Sequence, residues 1–150
     1  MDPHPLLGTW KLKSYVVTTA VGVRSTPYGE NPTGYLSYTA DGRMQVIAAA
    51  GGRPLPAGPT PTDNERVALH STMFAYAGTY TLEVGKVLHH VDMSWNELWT
   101  VTDQIRPFEV NGNTLTFSTR VRDHASGTEA DYVVVWEKVA VIATPCAVQA

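Results

Sequence analysis

The chain has little cysteine, little clustered charge and no long hydrophobic run. One cysteine, Cys146, stands among 150 residues, so no disulfide can form within the chain; that fits a reducing compartment. Lysine and arginine number 11 against 14 aspartates and glutamates, a formal net charge of −3, and no basic stripe occurs. Phosphate backbones are held by clustered cations, so nucleic acid is not an expected partner. The longest apolar-rich stretch, Val139 to Val148, contains Pro145. It falls well short of the roughly 20 residues that cross a bilayer as a helix, and no membrane partner is expected. The opening Met1-Asp2-Pro3-His4-Pro5 lacks the basic and apolar regions of a secretion signal, so a cytoplasmic location is expected. Nucleophile-elbow, phosphate-loop and dinucleotide signatures are missing. No His-x-His, cysteine pair or carboxylate cluster has metal-ligand spacing, so neither metal nor organic cofactor is expected.

What is present is alternation. A chain of this length forms one domain, residues 1–150, that buries roughly two thirds of its unfolded surface. Trp10 and Leu12 alternate with Lys11 and Lys13 in a strand running to Val17. Tyr35 to Tyr38 and Arg43 to Ala48 flank the hairpin signal Ala40-Asp41-Gly42, while Gly51 to Pro61 is too rich in glycine and proline for helix or central strand. Thr62 and Glu65 have capping-box spacing, and Val67, His70, Phe74 and Ala77 recur at helical intervals. They predict one helix of about three turns, ended by Gly78, across a barrel mouth. Beyond it the pattern is nearly all strand. Tyr80, Leu82 and Val84 lead to a turn at Gly85-Lys86, and Gln104 to Val110 leads to a hairpin turn at Asn111-Gly112. Leu115, Phe117, Thr119 and Val121 share a face, a polar loop comes next around Ser126-Gly127, and the last strand is Asp131 to Val139. The sum is an all-β chain of about 8–10 antiparallel strands with one short helix. Eight such strands can close around a small ligand, and a sandwich would show the same alternation.

Leu7-Gly8-Thr9-Trp10 resembles the Gly-x-Trp opening of lipocalins and other calycins, in which the tryptophan plugs one barrel end. Further stretches resemble the lipocalin-like domain family of small bacterial and fungal proteins. They are Gly29-Glu30-Asn31-Pro32-Thr33-Gly34-Tyr35-Leu36, Tyr38-Thr39-Ala40-Asp41-Gly42-Arg43-Met44 and Ala75-Tyr76-Ala77-Gly78-Thr79-Tyr80. His89-His90-Val91-Asp92, the run from Trp99 to Arg106, and Trp136-Glu137-Lys138-Val139 complete the set, in order over nearly the whole chain. The resemblance implies a closed barrel with an internal cavity, and no single agreed chemistry. Two residues after Trp99 the family usually has glycine where this chain has Val101. A β-branched residue tolerates positive φ poorly, so the loop from Trp99 to Thr102 is expected to be reshaped. The tail after Val139 has no counterpart in the family.

Val87, His89, Val91, Met93 and Trp95 fall on one strand face and Leu88, His90, Asp92 and Ser94 on the other. His89 is therefore expected inside, as a core histidine bonded to a neighbour or as a proton carrier titrating in the functional range. His90 is expected outside. Arg106 shares a face with Phe108 and Val110. It points either outward, opposite Asp92, or inward towards Met93 and Val91, where it would need a ligand anion or a carboxylate. Trp10 and Lys138 are expected to seal an end. Tyr38, Met44, Tyr80, Met93, Trp95, Phe108, Phe117, Tyr132 and Trp136 supply the expected ligand-binding wall. Two functions fit. One is a cofactor-independent isomerase, cyclase or dehydratase of a polyketide- or terpenoid-like secondary metabolite, with His89 and Arg106 as catalytic groups. The other is a non-catalytic carrier or sequestering protein for a hydrophobic small molecule. A homodimer stays open in either case.

Overall fold

The computed structural model describes residues 4–122 and 127–142. Met1–Pro3, Cys146, the loop residue Ser126 and the tail from 143 lie outside the described residues. Among the described residues nine strands, one α-helix and one 3-10 turn succeed one another: β1 Gly8–Thr19, β2 Arg24–Ser25, β3 Thr33–Tyr38, β4 Arg43–Ala49, α1 Asp63–Ser71 and β5 Met73–Glu83 come first. β6 Lys86–Ser94, the 3-10 turn Glu97–Trp99, β7 Asp103–Asn111, β8 Thr114–Arg122 and β9 Glu129–Lys138 follow. The sheet runs β1-β3-β4-β5-β6-β7-β8-β9, every pair antiparallel, and β9 returns to β1. Eight strands thus close a barrel, and two-residue β2 hangs on the outer end of β1.

Period-2 alternation places the core inside. Trp10, Leu36, Tyr38, Val87, Leu115 and Trp136 are all buried against one another. One end is sealed by the N-terminal segment. Leu6 is fully buried, its carbonyl accepts from Trp10 Nε1 at 2.9 Å, and Lys138 Nζ stands 4.6 Å from the Trp10 ring centre. Lys138 also donates to the Leu7 carbonyl. Gly8 makes this possible, because its φ is 112° and a Cβ there would come within 2.7 Å of Lys138 Nζ.

Two bulges reset the alternation. In β1, Leu12 pairs with Trp136 and Ser14 with Val135, so Lys13 is the extra residue. Tyr15 thereby joins Trp10 and Leu12 on the inner face. In β6, Gly78 pairs with Val91 and Ala77 with Met93, leaving Asp92 extra. Met93 therefore turns outward.

Four expectations are corrected. The helix stops at Ser71, and Met73 to Gly78 belong to β5, where Phe74, Tyr76 and Gly78 alternate inward. The capping box at Thr62 and Glu65 is present, but the helix buries none of its own residues, so nothing favours extending it over pairing with β4. The turn between β7 and β8 is Gly112-Asn113, one residue later than expected, with positive φ at Gly112 alone. Likewise Val84 sits in the Val84-Gly85 turn, fully exposed, rather than on the strand. The Trp99 to Thr102 loop keeps its left-handed residue, for Val101 adopts φ 62° and donates its N–H to the Val91 carbonyl at 2.9 Å.

Candidate functional site

The barrel encloses a cavity of about 210 Å³. Drug-sized pockets span about 300–1,000 Å³, whereas an engineered apolar cavity of about 150 Å³ holds benzene. The space therefore suits one ring with a few substituents. Its walls are mainly aromatic and aliphatic, with Phe74, Trp99, Phe117 and Trp136 among them. Trp136 Nε1 is buried without an acceptor among the described residues.

Into this wall the sheet register sets a line of polar groups. His89, 1% exposed, is paired across the sheet with Tyr80 and Gln104, on the inner face. Its Nε2 lies 2.6 Å from the Tyr38 hydroxyl and its Nδ1 2.8 Å from the Tyr76 hydroxyl. Burial is the main cause that lowers its pKa, to about 3, with Arg106 and His90 adding to the effect. The ring is thus neutral, and the expected titration in the functional range is corrected. A neutral imidazole donates through one nitrogen and accepts through the other. The buried Tyr38 hydroxyl has no partner but His89 among the described residues, so an accepting Tyr38 would leave its own proton orphaned at a cost of about 1–3 kcal/mol. Tyr38 therefore donates to Nε2, and Nδ1–H donates to the Tyr76 oxygen. The Tyr76 proton is then free to point into the cavity.

Arg106 completes the line. β7 sets it opposite Val87, which is fully buried, so the guanidinium turns inward. Asp92 pairs instead with Arg43, at 2.6 Å. Arg106 donates to Gln104 Oε1 at 3.1 Å and to the Ile105 carbonyl at 3.2 Å, and it lines the cavity together with Tyr76. It has no carboxylate partner among the described residues. Burial raises the Tyr76 pKa while Arg106 pulls it down, and the net direction is upward.

Of the expected site residues, His89, Arg106, Phe117, Tyr132 and Trp136 line the cavity. Tyr38 stands behind His89, Met44 is buried in the core, and Phe108 packs against that core. Tyr80 turns to the sealed end, where its hydroxyl meets His4 Nε2 at 2.6 Å and the Thr39 carbonyl at 2.9 Å. Met93 is 72% exposed, which corrects its inward assignment. Trp95 is half-buried against Phe74 and Trp99 and donates to the His70 carbonyl. Both residues border an open depression of about 510 Å³ on the outer face of β3 to β6. Tyr15, Tyr28 and Tyr76 line the cavity and were not singled out from the sequence.

His90 lies outside the barrel, bonded to Thr81 Oγ1 and to Asp103 Oδ1, each at 2.8 Å. This hydroxyl–imidazole–carboxylate series lies away from the cavity, on the outer face. Among the described residues no group of three or more His, Cys, Asp or Glu could hold a metal ion. Nor is any described helix long and apolar enough to cross a membrane.

A closed eight-stranded antiparallel barrel, plugged at one end by a tryptophan and holding an aromatic cavity, defines a lipocalin-type small-molecule barrel. Residues 7–139 match the family model described as the lipocalin-like domain, and the chain belongs to that family. A comparison with curated proteins finds no match.

Proposed function

We propose that the protein binds a compact, mainly apolar small molecule in its barrel and acts on it as a cofactor-independent isomerase, cyclase or dehydratase. One observation carries this reading: in a mainly aromatic and aliphatic cavity, Arg106 and the Tyr76 hydroxyl both line the wall, with no carboxylate to neutralise the guanidinium among the described residues. A carrier of a purely apolar ligand gains nothing from a guanidinium in its cavity wall, whereas an oxyanion or a polarised carbonyl does.

Tyr76 serves as the acid. It gives its proton to a substrate carbonyl oxygen, and the phenolate left behind is held by Arg106 and by His89 Nδ1–H until it is reprotonated. His89 acts as a positioning residue, since its accepting nitrogen is occupied by Tyr38. The lining offers no ionised carboxylate among the described residues. The reaction is therefore one that carbonyl activation alone can drive, with the substrate's α-proton passing to water or to a basic group of the substrate. A cytoplasmic location is part of the proposal, supported by the single cysteine. The reading holds equally for a monomer and a homodimer.

The test uses one-ring ketones, cyclohexanone, cyclohex-2-enone and acetophenone, in deuterated water, with α-proton exchange monitored by NMR. Protein-accelerated exchange that falls about a hundredfold in Tyr76→Phe, with binding retained, supports catalysis. Ketones that bind without accelerated exchange favour the carrier.

A further inference from the structure

Three tyrosines line the cavity besides Tyr76, and neither the fold nor the catalytic reading uses their hydroxyls. Tyr15 sits on β1, turned inward by the Lys13 bulge; Tyr28 comes from the loop before β3; Tyr132 lies on β9, opposite Val17. The Tyr15 and Tyr28 rings meet edge to face at 4.9 Å between centres, and those of Tyr15 and Tyr132 at 6.2 Å. None of the three hydroxyls has a hydrogen-bond partner among the described residues, and none is shut off from open space. The phenols also influence one another: Tyr28 and Tyr132 each raise the Tyr15 pKa, as Tyr132 raises that of Tyr28, behind burial as the leading cause. Tyr15 and Tyr28 thus keep their protons at neutral pH and stand as donors.

A purely apolar ligand filling this space would displace water from the three hydroxyls and give them nothing to donate to. Phenylalanine would line such a wall equally well without hydroxyls to desolvate. Together with the Arg106 end, the cavity therefore has two polar regions joined by aromatic surface, in a space sized for about one ring.

We propose that Tyr15, Tyr28 and Tyr132 form an oxygen-reading subsite, and that the ligand is a one-ring molecule with an oxyanion or carbonyl at Arg106 and a second oxygen at the tyrosines. The placement of the first oxygen rests on the proposed function above; the second rests on the tyrosine cluster alone. A planar oxyanion matches the guanidinium fork. The second oxygen discriminates the ligand from a plain hydrocarbon ring of the same shape.

The test is calorimetric binding of the ortho, meta and para hydroxybenzoates against the methylbenzoates of the same substitution pattern. Hydroxyl and methyl differ little in size, so their affinity ratio reports the oxygen. At one or more positions the hydroxyl compound is expected to bind about tenfold more tightly than its methyl counterpart. At least one of Tyr15→Phe, Tyr28→Phe and Tyr132→Phe should bring that ratio close to one, the methylbenzoate measured on the same variant serving as its reference. These variants remove one cavity-lining oxygen each, and melting curves check that they fold. Methyl compounds binding as tightly at every position overturn the subsite, as does a ratio that survives in all three variants. Failure of every hydroxybenzoate to bind at millimolar concentration overturns it too. Arg106→Gln separates the two readings, because it should weaken all the benzoates alike by about tenfold or more. If it does not, while the hydroxyl ratio persists, the anion end fails and the tyrosine subsite stands.

Discussion

The hydroxyl oxygen of Tyr76 lies 2.8 Å from Nδ1 of His89, and the other nitrogen of that ring is 2.6 Å from the hydroxyl of Tyr38. β3, β5 and β6 each contribute one member of this row. It fixes which way the protons run, and that direction is measurable. Long-range nitrogen–proton correlation spectra should show His89 neutral, with Nδ1 protonated and Nε2 bare. Tyr38→Phe removes the donor to Nε2 and should release this preference. Finding Nε2 protonated in the unaltered protein would reverse the direction of donation and take the free proton from Tyr76.

Acid should destabilise the fold through the same histidine. Its folded pKa of about 3 lies below the unfolded value of 6.5. At pH above 6.5 neither state binds the proton. As pH falls from 6.5 towards 3 the unfolded chain takes it up and the folded one does not, so stability is lost by up to about 1.4 kcal/mol per pH unit. Urea denaturation across this range should show the slope, and His89→Gln should flatten it. An unchanged slope in the variant would place the sensitivity elsewhere.

Val101 offers a gain. Its φ of 62° in an exposed loop is unfavourable for a β-branched side chain by about 1–2 kcal/mol. Glycine relieves this at an entropic cost of about 0.5–1 kcal/mol. Val101→Gly should therefore raise stability by about 0.5–1 kcal/mol and Tm by about 2 °C. A lower Tm would show that the valine is held there at no cost.

Gly78 offers a loss. A Cβ at this position would stand 1.9 Å from the His90 carbonyl oxygen, a backbone atom of the neighbouring strand. Gly78→Ala must push β5 and β6 apart at the bulge, and about 3 kcal/mol or more of destabilisation is expected, a fall of at least about 6 °C in Tm. Gly58→Ala, where a Cβ meets nothing within 4 Å, is the control and should change little. Equal melting temperatures for the two variants would refute the close approach.

Strand positions are legible from alternation, and Leu115, Phe117, Thr119 and Val121 do share the inner face. Alternation fails wherever one residue is inserted. Lys13 and Asp92 each shift the parity of the residues after them, which hid Tyr15 from view and put Met93 on the wrong side. The two orientations left open for Arg106 depended on the same count, since the segment between β6 and β7 holds a 3-10 turn and Val101 rather than a symmetrical turn. Phe74 was lost differently. Its spacing from Val67 and His70 is helical, while its spacing from Tyr76 and Gly78 is that of a strand, and pairing with β4 decides between them. Tyr28 lies in a loop, where no periodicity reports which way a side chain turns.

The seam between β1 and β9 sets a schedule for folding. It pairs Trp10 with Lys138 and Thr19 with Ala130, so the first strand waits for the last. Such distant pairing slows folding to the range of milliseconds to seconds. Synthesis at about 5–20 residues per second leaves β1 with a bare edge for several seconds before its partner exists. During that interval β1, accompanied by β8 once that strand is made, presents unpaired backbone, the kind of edge that recruits other chains. A chain cut before Glu129 would remain in that state permanently, its inner surface open along one side and its tendency to aggregate built into the missing strand.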